Sequence, residues 1–288
     1  MDAVTPQRIA ALVRACSFEL SPRDTGDADA LRGWFDPGTS VFVNFPPSAG
    51  WADVVQACVR LRRAGFEPVP HVVARRLASY ADASDFLRRV AEQAAVTQAL
   101  LLGGDTSRPA GPFDSALALL STGVVERYGI TAVAFAGYPE RHPQIGAPVL
   151  QAALRAKLEL AGKRGLAVSL VTQFAFEAAP ILDWMAAQRA AGVTCPIRVG
   201  LAGPASVATL AKYAVRCGIG GSLRALARGH AAFARVLTEA DPGALIEALV
   251  AGEDPTAPIV ALHVFCFGSV QRTAEWVQKF LSRVSGRG

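Results

Sequence analysis

The sequence predicts an α/β fold, the closed (β/α)8 TIM barrel in which eight parallel strands alternate with helices. Short apolar runs rich in β-branched residues recur along the chain, and Ala-, Leu- and Arg-rich stretches with helical spacing separate them. An open doubly wound sheet would need an early phosphate-binding turn such as G-x-G-x-x-G, and none follows the first run. Eight such βα units therefore favour closure into a barrel.

Each apolar run is assigned to one strand. The predicted strands are Ser17–Leu20, Val41–Phe45, Glu67–Val73, Ala99–Gly103, Ala132–Gly137, Ala167–Phe174, Ile197–Leu201 and Val260–Phe265. A long interval separates the last two strands, and a helical or irregular insertion is expected there over Cys217–Arg228. Because 288 residues with 51% hydrophobic content are enough to bury one large core, residues 1–288 are predicted to form a single catalytic domain.

Composition narrows the classes of function. No run approaches the roughly 18 apolar residues of a membrane helix, which predicts a soluble, cytoplasmic protein without a membrane partner. The net charge is +5, but the arginines are scattered and not interleaved with aromatic residues, which argues against nucleic acid. The five cysteines form no C-x-x-C and the four histidines no H-x-x-x-H, so neither a disulfide framework nor a metal site is expected.

Polar side chains gather where the predicted strands end. In a (β/α)8 barrel the chemistry occurs at the carboxyl ends of the strands. Residues able to do chemistry lie within or just after five of the strands: Glu19, His71, Asp105, Tyr138 with Glu140 and His142, and Gln173. We therefore expect these side chains to line the mouth of the barrel.

Glu19 is the strongest candidate for acid–base chemistry. It lies between the apolar residues Phe18 and Leu20, so strand alternation turns its carboxylate into the barrel. Apolar surroundings raise the pKa of a carboxyl group, which suits a general acid near neutral pH. The alternative is a buried structural ion pair with an arginine.

The other candidates also have structural explanations. His71 could be a core histidine bonded to a carbonyl, and Asp105 could cap the next helix. Gln173 is harder to explain in this way, because a carboxamide that ends an apolar run needs a partner. A ligand would supply that partner.

Five segments resemble, in order, those of the methylenetetrahydrofolate reductases. The family's Ser-Phe-Glu-Phe-x-Pro strand, Pro-His, Arg-Gly-Asp, Tyr-Pro-Glu-x-His-Pro and Thr-Gln-Phe are matched by Ser17–Pro22, Pro70–His71, Gly103–Asp105, Tyr138–Pro143 and Thr172–Phe174. The matches extend from Ser17 to Phe174, and the likeness thins beyond them. The chain is thus similar to a divergent, short form of this family that comprises the catalytic domain alone.

The resemblance implies a fold, a reaction and a set of roles. Such flavoproteins are TIM barrels of one-carbon metabolism, linked to methionine biosynthesis, and they reduce 5,10-methylenetetrahydrofolate to 5-methyltetrahydrofolate with hydride from NADH or NADPH, usually through FAD. Glu19 matches the general acid and Asp105 a carboxylate near flavin and pterin. Gln173 and Phe174 match the folate-binding segment. The matched cofactor-binding positions are His71, Gly104, Tyr138, His142 and Lys157.

The sequence departs from the family at the cofactor site. Gly103 replaces the arginine of Arg-Gly-Asp, and the segment Val149–Lys157 lacks much of the polar set that holds the flavin. Two alternatives follow: either Arg75–Arg76 and the turn Gly218–Ser222 supply the phosphate contacts, or NAD(P)H delivers hydride directly to the folate without flavin.

Two other classes of function stay open. One is a barrel lyase or aldolase, although its Schiff-base form needs a lysine at a strand end and the four lysines fall on helices or turns. The other is a folate- or nucleotide-binding protein without catalysis. Retention of both Glu19 and Gln173 favours an enzyme.

Overall fold

A computed structural model describes residues 6–26, 28–219, 241–257 and 259–286. Eight strands pair in sequence order into a closed barrel, and the prediction of a (β/α)8 barrel is confirmed. The strands are β1 (Ser17–Leu20), β2 (Ser40–Val43), β3 (Glu67–Val73), β4 (Gln98–Leu102), β5 (Ala132–Gly137), β6 (Ala167–Thr172), β7 (Ile197–Ala202) and β8 (Ala261–Phe265).

All eight predicted strands are present, and the differences lie at their ends. β6 ends at Thr172, two residues early, because the backbone N–H of Phe174 donates to the side-chain oxygen of Gln173 (3.1 Å). β2 ends at Val43, also two residues early, because the carbonyl of Phe45 accepts from an arginine side chain and the next residue is proline. Polar side chains thus end these strands earlier than hydrophobicity predicts.

Helices follow the strands and separate them. They are α1 (Pro6–Arg14), α2 (Trp51–Arg63), α3 (Tyr80–Ala94), α4 (Ala116–Ser121), α5 (Ala147–Lys163), α6 (Ala178–Ala190), α7 (Val207–Cys217), α8 (Gly243–Gly252) and α9 (Val270–Ser285). Short 3-10 turns cover Pro22–Thr25, Ala30–Gly33, Ala74–Arg76 and Glu126–Tyr128. Among the helices described, none combines the length and the hydropathy that a membrane crossing requires.

The interval between β7 and β8 contains α7 and α8. The predicted insertion Cys217–Arg228 begins at the last residue of α7, and all of it beyond residue 219 lies outside the described residues.

The chain groups into two compact units, which are considered separately. The Glu19 unit comprises residues 19–136 and 148–170, and the Gln173 unit comprises residues 1–18, 137–147 and 171–288. The prediction of one catalytic domain over residues 1–288 stays a prediction.

In the Glu19 unit, strands and helices are packed around a dry core. β2 and β3 pair in parallel with Val41 opposite Pro68, and β3 and β4 with His71 opposite Leu100. Helices α2 and α3 pack against each other, and Leu61 of α2 is fully buried. The register places His71 within β3, two residues before its end.

In the Gln173 unit, α1 packs against α8 and α9. The guanidinium of Arg8 on α1 makes a two-pronged contact with Glu253, with N–O distances of 2.8 and 2.9 Å. Glu253 also accepts a hydrogen bond from the backbone N–H of Ile259 (2.9 Å). This pair therefore connects α1 with the segment that leads into β8.

Candidate functional site

Glu19 on β1 has its two carboxylate oxygens directed at different groups. The side-chain amide of Asn44, just past the end of β2, donates to Oε1 at 3.2 Å. Nε2 of His71 on β3 lies 3.3 Å from Oε2. The side chains of Glu19 and His71 are only 13% and 8% exposed. Three consecutive strands thus bring a carboxylate, an imidazole and an amide together in a nearly dry environment.

This arrangement suits proton transfer. Nε2 of His71 makes no hydrogen bond within the part of the chain that the structure describes, so its approach to Glu19 is a close contact and not a formed hydrogen bond. A carboxyl group and an imidazole at this distance can exchange a proton when a ligand brings them into line. The His71 ring is fixed edge-on against Phe42, with centroids 6.4 Å apart. The raised pKa expected for Glu19 stays a prediction.

Asn44 is a residue that sequence reasoning missed. While its Nδ2 holds Glu19, its Oδ1 is buried and has no hydrogen-bond partner among the residues that the structure describes. An unsatisfied buried carbonyl oxygen costs free energy. Asn44 therefore offers an acceptor beside the carboxylate for a ligand that donates a hydrogen bond.

Asp105 lies on an exposed loop after β4. The alternative that it caps the next helix is wrong, because the cap of α4 is Ser115, whose Oγ accepts from the backbone N–H of Ala118. Gly104 before it has φ +107°, and a Cβ there would lie 2.7 Å from Cγ1 of Val73. The glycine is thus required by the backbone, and it presents the aspartate in the loop.

Arg75 and Arg76 have their guanidinium groups engaged within the protein. Arg75 donates from three nitrogens to backbone carbonyls in the segment 106–114, at 2.8–3.0 Å. Arg76 donates to carbonyls in the segment 45–49 at 2.9–3.1 Å and lies 3.6 Å above the ring centroid of Phe45. Burial lowers the pKa of Arg76, and the negative charge of nearby Asp105 partly offsets this effect. The geometry therefore weighs against these arginines as free phosphate ligands.

Lys157 on α5 is a half-buried cation with an aromatic neighbour. Its Nζ lies 4.9 Å from the ring centroid of Phe135 on β5, close enough for a cation–π contact. Burial lowers its pKa from 10.5 to about 8. In the part of the chain that the structure describes, no acidic side chain forms an ion pair with it. Lys157 thus lies on a helix, as the sequence predicts, and its ammonium is partly shielded from water.

Tyr138 and His142 form the matched motif in the Gln173 unit. Their rings meet edge-on with centroids 4.9 Å apart. Burial, with a smaller contribution from Cys217, raises the pKa of Tyr138 to about 12. Burial lowers the pKa of His142, whose Nδ1 accepts from the backbone N–H of Gln144 (3.1 Å). A neutral His142 therefore carries its proton on Nε2 and presents a donor there.

A cavity of about 480 Å³ lies beside this motif. Residues 141–146 and Gly218 line it. Gly218 ends α7 with φ +72°, and a Cβ there would lie 2.9 Å from Pro143. The remainder of the predicted turn Gly218–Ser222, from residue 220 on, lies outside the described residues.

Gln173 and Phe174 follow β6 in the Gln173 unit. The Gln173 side-chain oxygen accepts from the backbone N–H of Phe174, which leaves the amide Nε2 as the group available for donation. Phe174 is fully buried and meets the rings of Phe265 and Phe267 edge-on. Gln173 is half-buried, so a ligand can reach its amide.

The structure thus brings the predicted residues together in groups. In the Glu19 unit, Glu19 and His71 are in contact and Asp105 lies near Arg76. In the Gln173 unit, Tyr138 contacts His142. Among the residues described, no group of three or more His, Cys, Asp or Glu side chains is placed to hold a metal ion.

Comparison with known proteins places the fold but not the chemistry. No family model matches the chain. A protein described as a phosphonomutase, from Burkholderia cenocepacia, is similar with a TM-score of 0.50 and 12% sequence identity, covering 98% of this chain and 100% of that chain. A thiamine phosphate pyrophosphorylase from Pyrococcus furiosus has a TM-score of 0.45 and 13% identity, covering 94% and 97%. At 12% sequence identity, the similarity to the first protein shows a shared fold and nothing about the reaction. The TM-score of the second protein is too low for any conclusion about this chain.

Proposed function

We propose that the protein is a folate-dependent oxidoreductase that reduces 5,10-methylenetetrahydrofolate to 5-methyltetrahydrofolate with hydride from NAD(P)H. The proposal is supported by the five ordered sequence motifs. The single observation that carries it is the group of Glu19, His71 and Asn44, because Glu19 is the residue that the motifs match to the general acid.

Glu19 protonates a nitrogen of the folate as the methylene bridge opens. One C–N bond breaks, the nitrogen keeps the proton, and the other nitrogen forms an iminium with the methylene carbon. Hydride from NAD(P)H then converts that carbon to a methyl group, leaving NAD(P)+. His71 lies 3.3 Å from Glu19 and returns a proton to it, while Asn44 holds the opposite carboxylate oxygen in place.

The remaining matched residues bind and orient the folate and the hydride donor. The amide of Gln173 donates to the folate, and the buried Phe174 anchors the segment that carries Gln173. Asp105 places negative charge close to the cationic iminium, which stabilises that intermediate. Tyr138 and His142 bind the hydride donor.

The described residues fit the diphosphate of FAD poorly. Arg75 and Arg76 donate to loop carbonyls, and burial already makes the ammonium of Lys157 costly to hold. Strong diphosphate binding usually needs available arginine or lysine donors. We favour direct transfer of hydride from NAD(P)H to the folate, because the segment Val149–Lys157 lacks much of the polar set that holds the flavin in the matched family.

The test compares Glu19→Gln with Glu92→Gln, a control on the exposed face of α3, whose side chain is 59% exposed. Folate-dependent NAD(P)H oxidation and formation of 5-methyltetrahydrofolate are measured. Loss of a general acid lowers the rate by about 10²- to 10⁴-fold, whereas the control keeps the wild-type rate. An unchanged rate in Glu19→Gln would refute the assigned role.

A barrel lyase is the second candidate, and one observation favours it. The lowered pKa of Lys157 leaves more of its amine in the neutral, nucleophilic form, as a Schiff-base mechanism requires. Borohydride trapping with small ketones and aldehydes tests this candidate: a stable adduct on Lys157 and no folate-dependent oxidation would favour the lyase over the reductase.

A further inference from the structure

Three aromatic rings in the Gln173 unit form a stack outside the matched motifs. Tyr213 on α7 is stacked on Phe267, with centroids 4.2 Å apart and planes within 18°. Phe267 is nearly parallel to Phe265 at the end of β8, with a separation of 5.6 Å and an angle of 10°. The fully buried Phe174 meets both phenylalanines edge-on, so the stack packs against the hydrophobic core.

The backbone around the stack is built to hold it in place. A Cβ on Gly200 of β7 would lie 2.9 Å from the Phe265 ring and 3.1 Å from the backbone carbon of Gln173. A Cβ on Gly268 would lie 2.4 Å from the carbonyl oxygen of Pro204. Glycine at both positions lets the chain approach closely, so the rings are fixed before any ligand arrives.

The rings of Tyr213, Phe265 and Phe267 are only half-buried. The same glycine contact brings the backbone of Gln173 next to Phe265. A half-buried aromatic face is the chemistry that recognises a flat heteroaromatic ring.

The charge of the residues around Tyr213 indicates which kind of molecule carries the flat ring. Lys212 and Arg216 flank it on α7, and the segment 202–219 contains no acidic residue. Both basic residues are exposed. A ligand that combines a planar base with phosphate groups would place the base on the rings and the phosphates toward the exposed ammonium of Lys212.

We propose that Tyr213, Phe267 and Phe265 form the platform on which a heteroaromatic base of the hydride donor NAD(P)H stacks. This inference rests on the proposed function, because it takes the nucleotide from it, and it adds the residues that recognise that nucleotide. The ring concerned is either the nicotinamide or the adenine, which share this chemistry.

The experiment measures equilibrium binding, independently of turnover, by isothermal titration of the purified protein with NADH, NADPH, ADP-ribose, reduced nicotinamide mononucleotide and tetrahydrofolate. Tyr213→Leu keeps an apolar side chain but removes the aromatic face, and Tyr213→Phe keeps the face. Val215→Ala is the control on the same helix, at a side chain that is 75% exposed. Thermal unfolding of each variant confirms that the fold is retained.

If the base stacks on these rings, Tyr213→Leu weakens the binding of the dinucleotide by about tenfold, or about 1.4 kcal/mol. The same variant weakens the binding of tetrahydrofolate by less than about twofold. Tyr213→Phe and Val215→Ala bind like the wild type. A parallel loss for ADP-ribose assigns the adenine, and a loss for the mononucleotide assigns the nicotinamide.

Equal dinucleotide binding by Tyr213→Leu and wild type would overturn the platform alone, because turnover of the wild type tests the reductase separately. A loss confined to tetrahydrofolate would also overturn it and assign the stack to the folate. If neither dinucleotide binds the wild-type protein, both the platform and the proposed hydride donor fail.

Discussion

Replacement of Lys157 by methionine should make the protein more stable at neutral pH. The buried ammonium has a pKa of about 8, against 10.5 for an ordinary lysine. That difference corresponds to about 3 kcal/mol of unfolding free energy as an upper bound, and partial exposure with loss of the contact to Phe135 reduces it to about 2 kcal/mol. Methionine keeps the apolar stem without the charge.

The effect depends on pH in a defined direction. Below pH 8 the lysine is protonated in both the folded and the unfolded states, so the full cost of burying the charge is present. Between about pH 8 and 10.5 the unfolded chain binds the proton more tightly, and the stability of the wild-type protein rises with pH relative to the variant. The advantage of Lys157→Met is therefore greatest below pH 8 and disappears near pH 10.5.

Urea unfolding of the wild type and Lys157→Met at pH 7, 8, 9 and 10 measures this difference. Lys163→Met is the control, because Lys163 lies on the same helix, is exposed and pairs with Glu159 at 2.6 Å. We expect the control to change the unfolding free energy by less than about 1 kcal/mol at every pH. A destabilised Lys157→Met at pH 7, or a difference that does not vary with pH, would refute the assignment of a buried, uncompensated charge.

Three further predictions concern stability and reactivity. Gly104→Ala should unfold at lower urea concentration than Gly103→Ala. Gly104 has φ +107°, and a Cβ there would lie 2.7 Å from the side chain of Val73, whereas a Cβ at Gly103 meets nothing within 4 Å. Equal unfolding midpoints for the two variants would contradict this prediction. Burial raises the pKa of Cys58 to about 12, so iodoacetamide at pH 8 should leave it unmodified in the folded protein, and mass spectrometry would reveal any labelling that disproves this. Arg8 lowers the pKa of Glu253 in the folded protein, so the ion pair stabilises the fold above pH 4.5, and this stabilisation is lost as the pH falls through the lower folded pKa. Glu253→Gln should therefore make the free energy of unfolding, measured in urea, depend less on pH in the acid range. An unchanged pH dependence would be inconsistent with the ion pair.

The barrel could be predicted from the sequence because strand alternation and hydrophobicity are local properties. β1, β3 and β5 have the predicted bounds. The ends of β2 and β6 could not be predicted, because they depend on which hydrogen bonds form at Phe45 and Phe174 in three dimensions.

The candidate site could be predicted only in part, because the local pattern identifies residues at strand ends but not the contacts that they make after folding. Strand-end position and then motif resemblance selected Glu19 and His71, which the structure brings within 3.3 Å. Asn44 was missed, because an asparagine after a strand carries no motif and its role depends on reaching a carboxylate 25 positions away in sequence. The engagement of Arg75 with loop carbonyls was also hidden, since sequence does not distinguish a guanidinium that binds phosphate from one that holds a loop.

The stack of Tyr213 on Phe267 is a further contact that sequence could not predict. The two residues lie on different elements, and neither has an unusual local pattern. Long-range pairings of this kind are visible only after folding.

The most direct test of the central claim is oxidation of NADH and NADPH by the purified protein with methylenetetrahydrofolate and no added flavin. Any bound chromophore is extracted and quantified from the same sample. We predict folate-dependent oxidation by colourless protein, with one 5-methyltetrahydrofolate formed for each nucleotide oxidised. No folate-dependent oxidation, with or without added FAD, would contradict the proposed reductase.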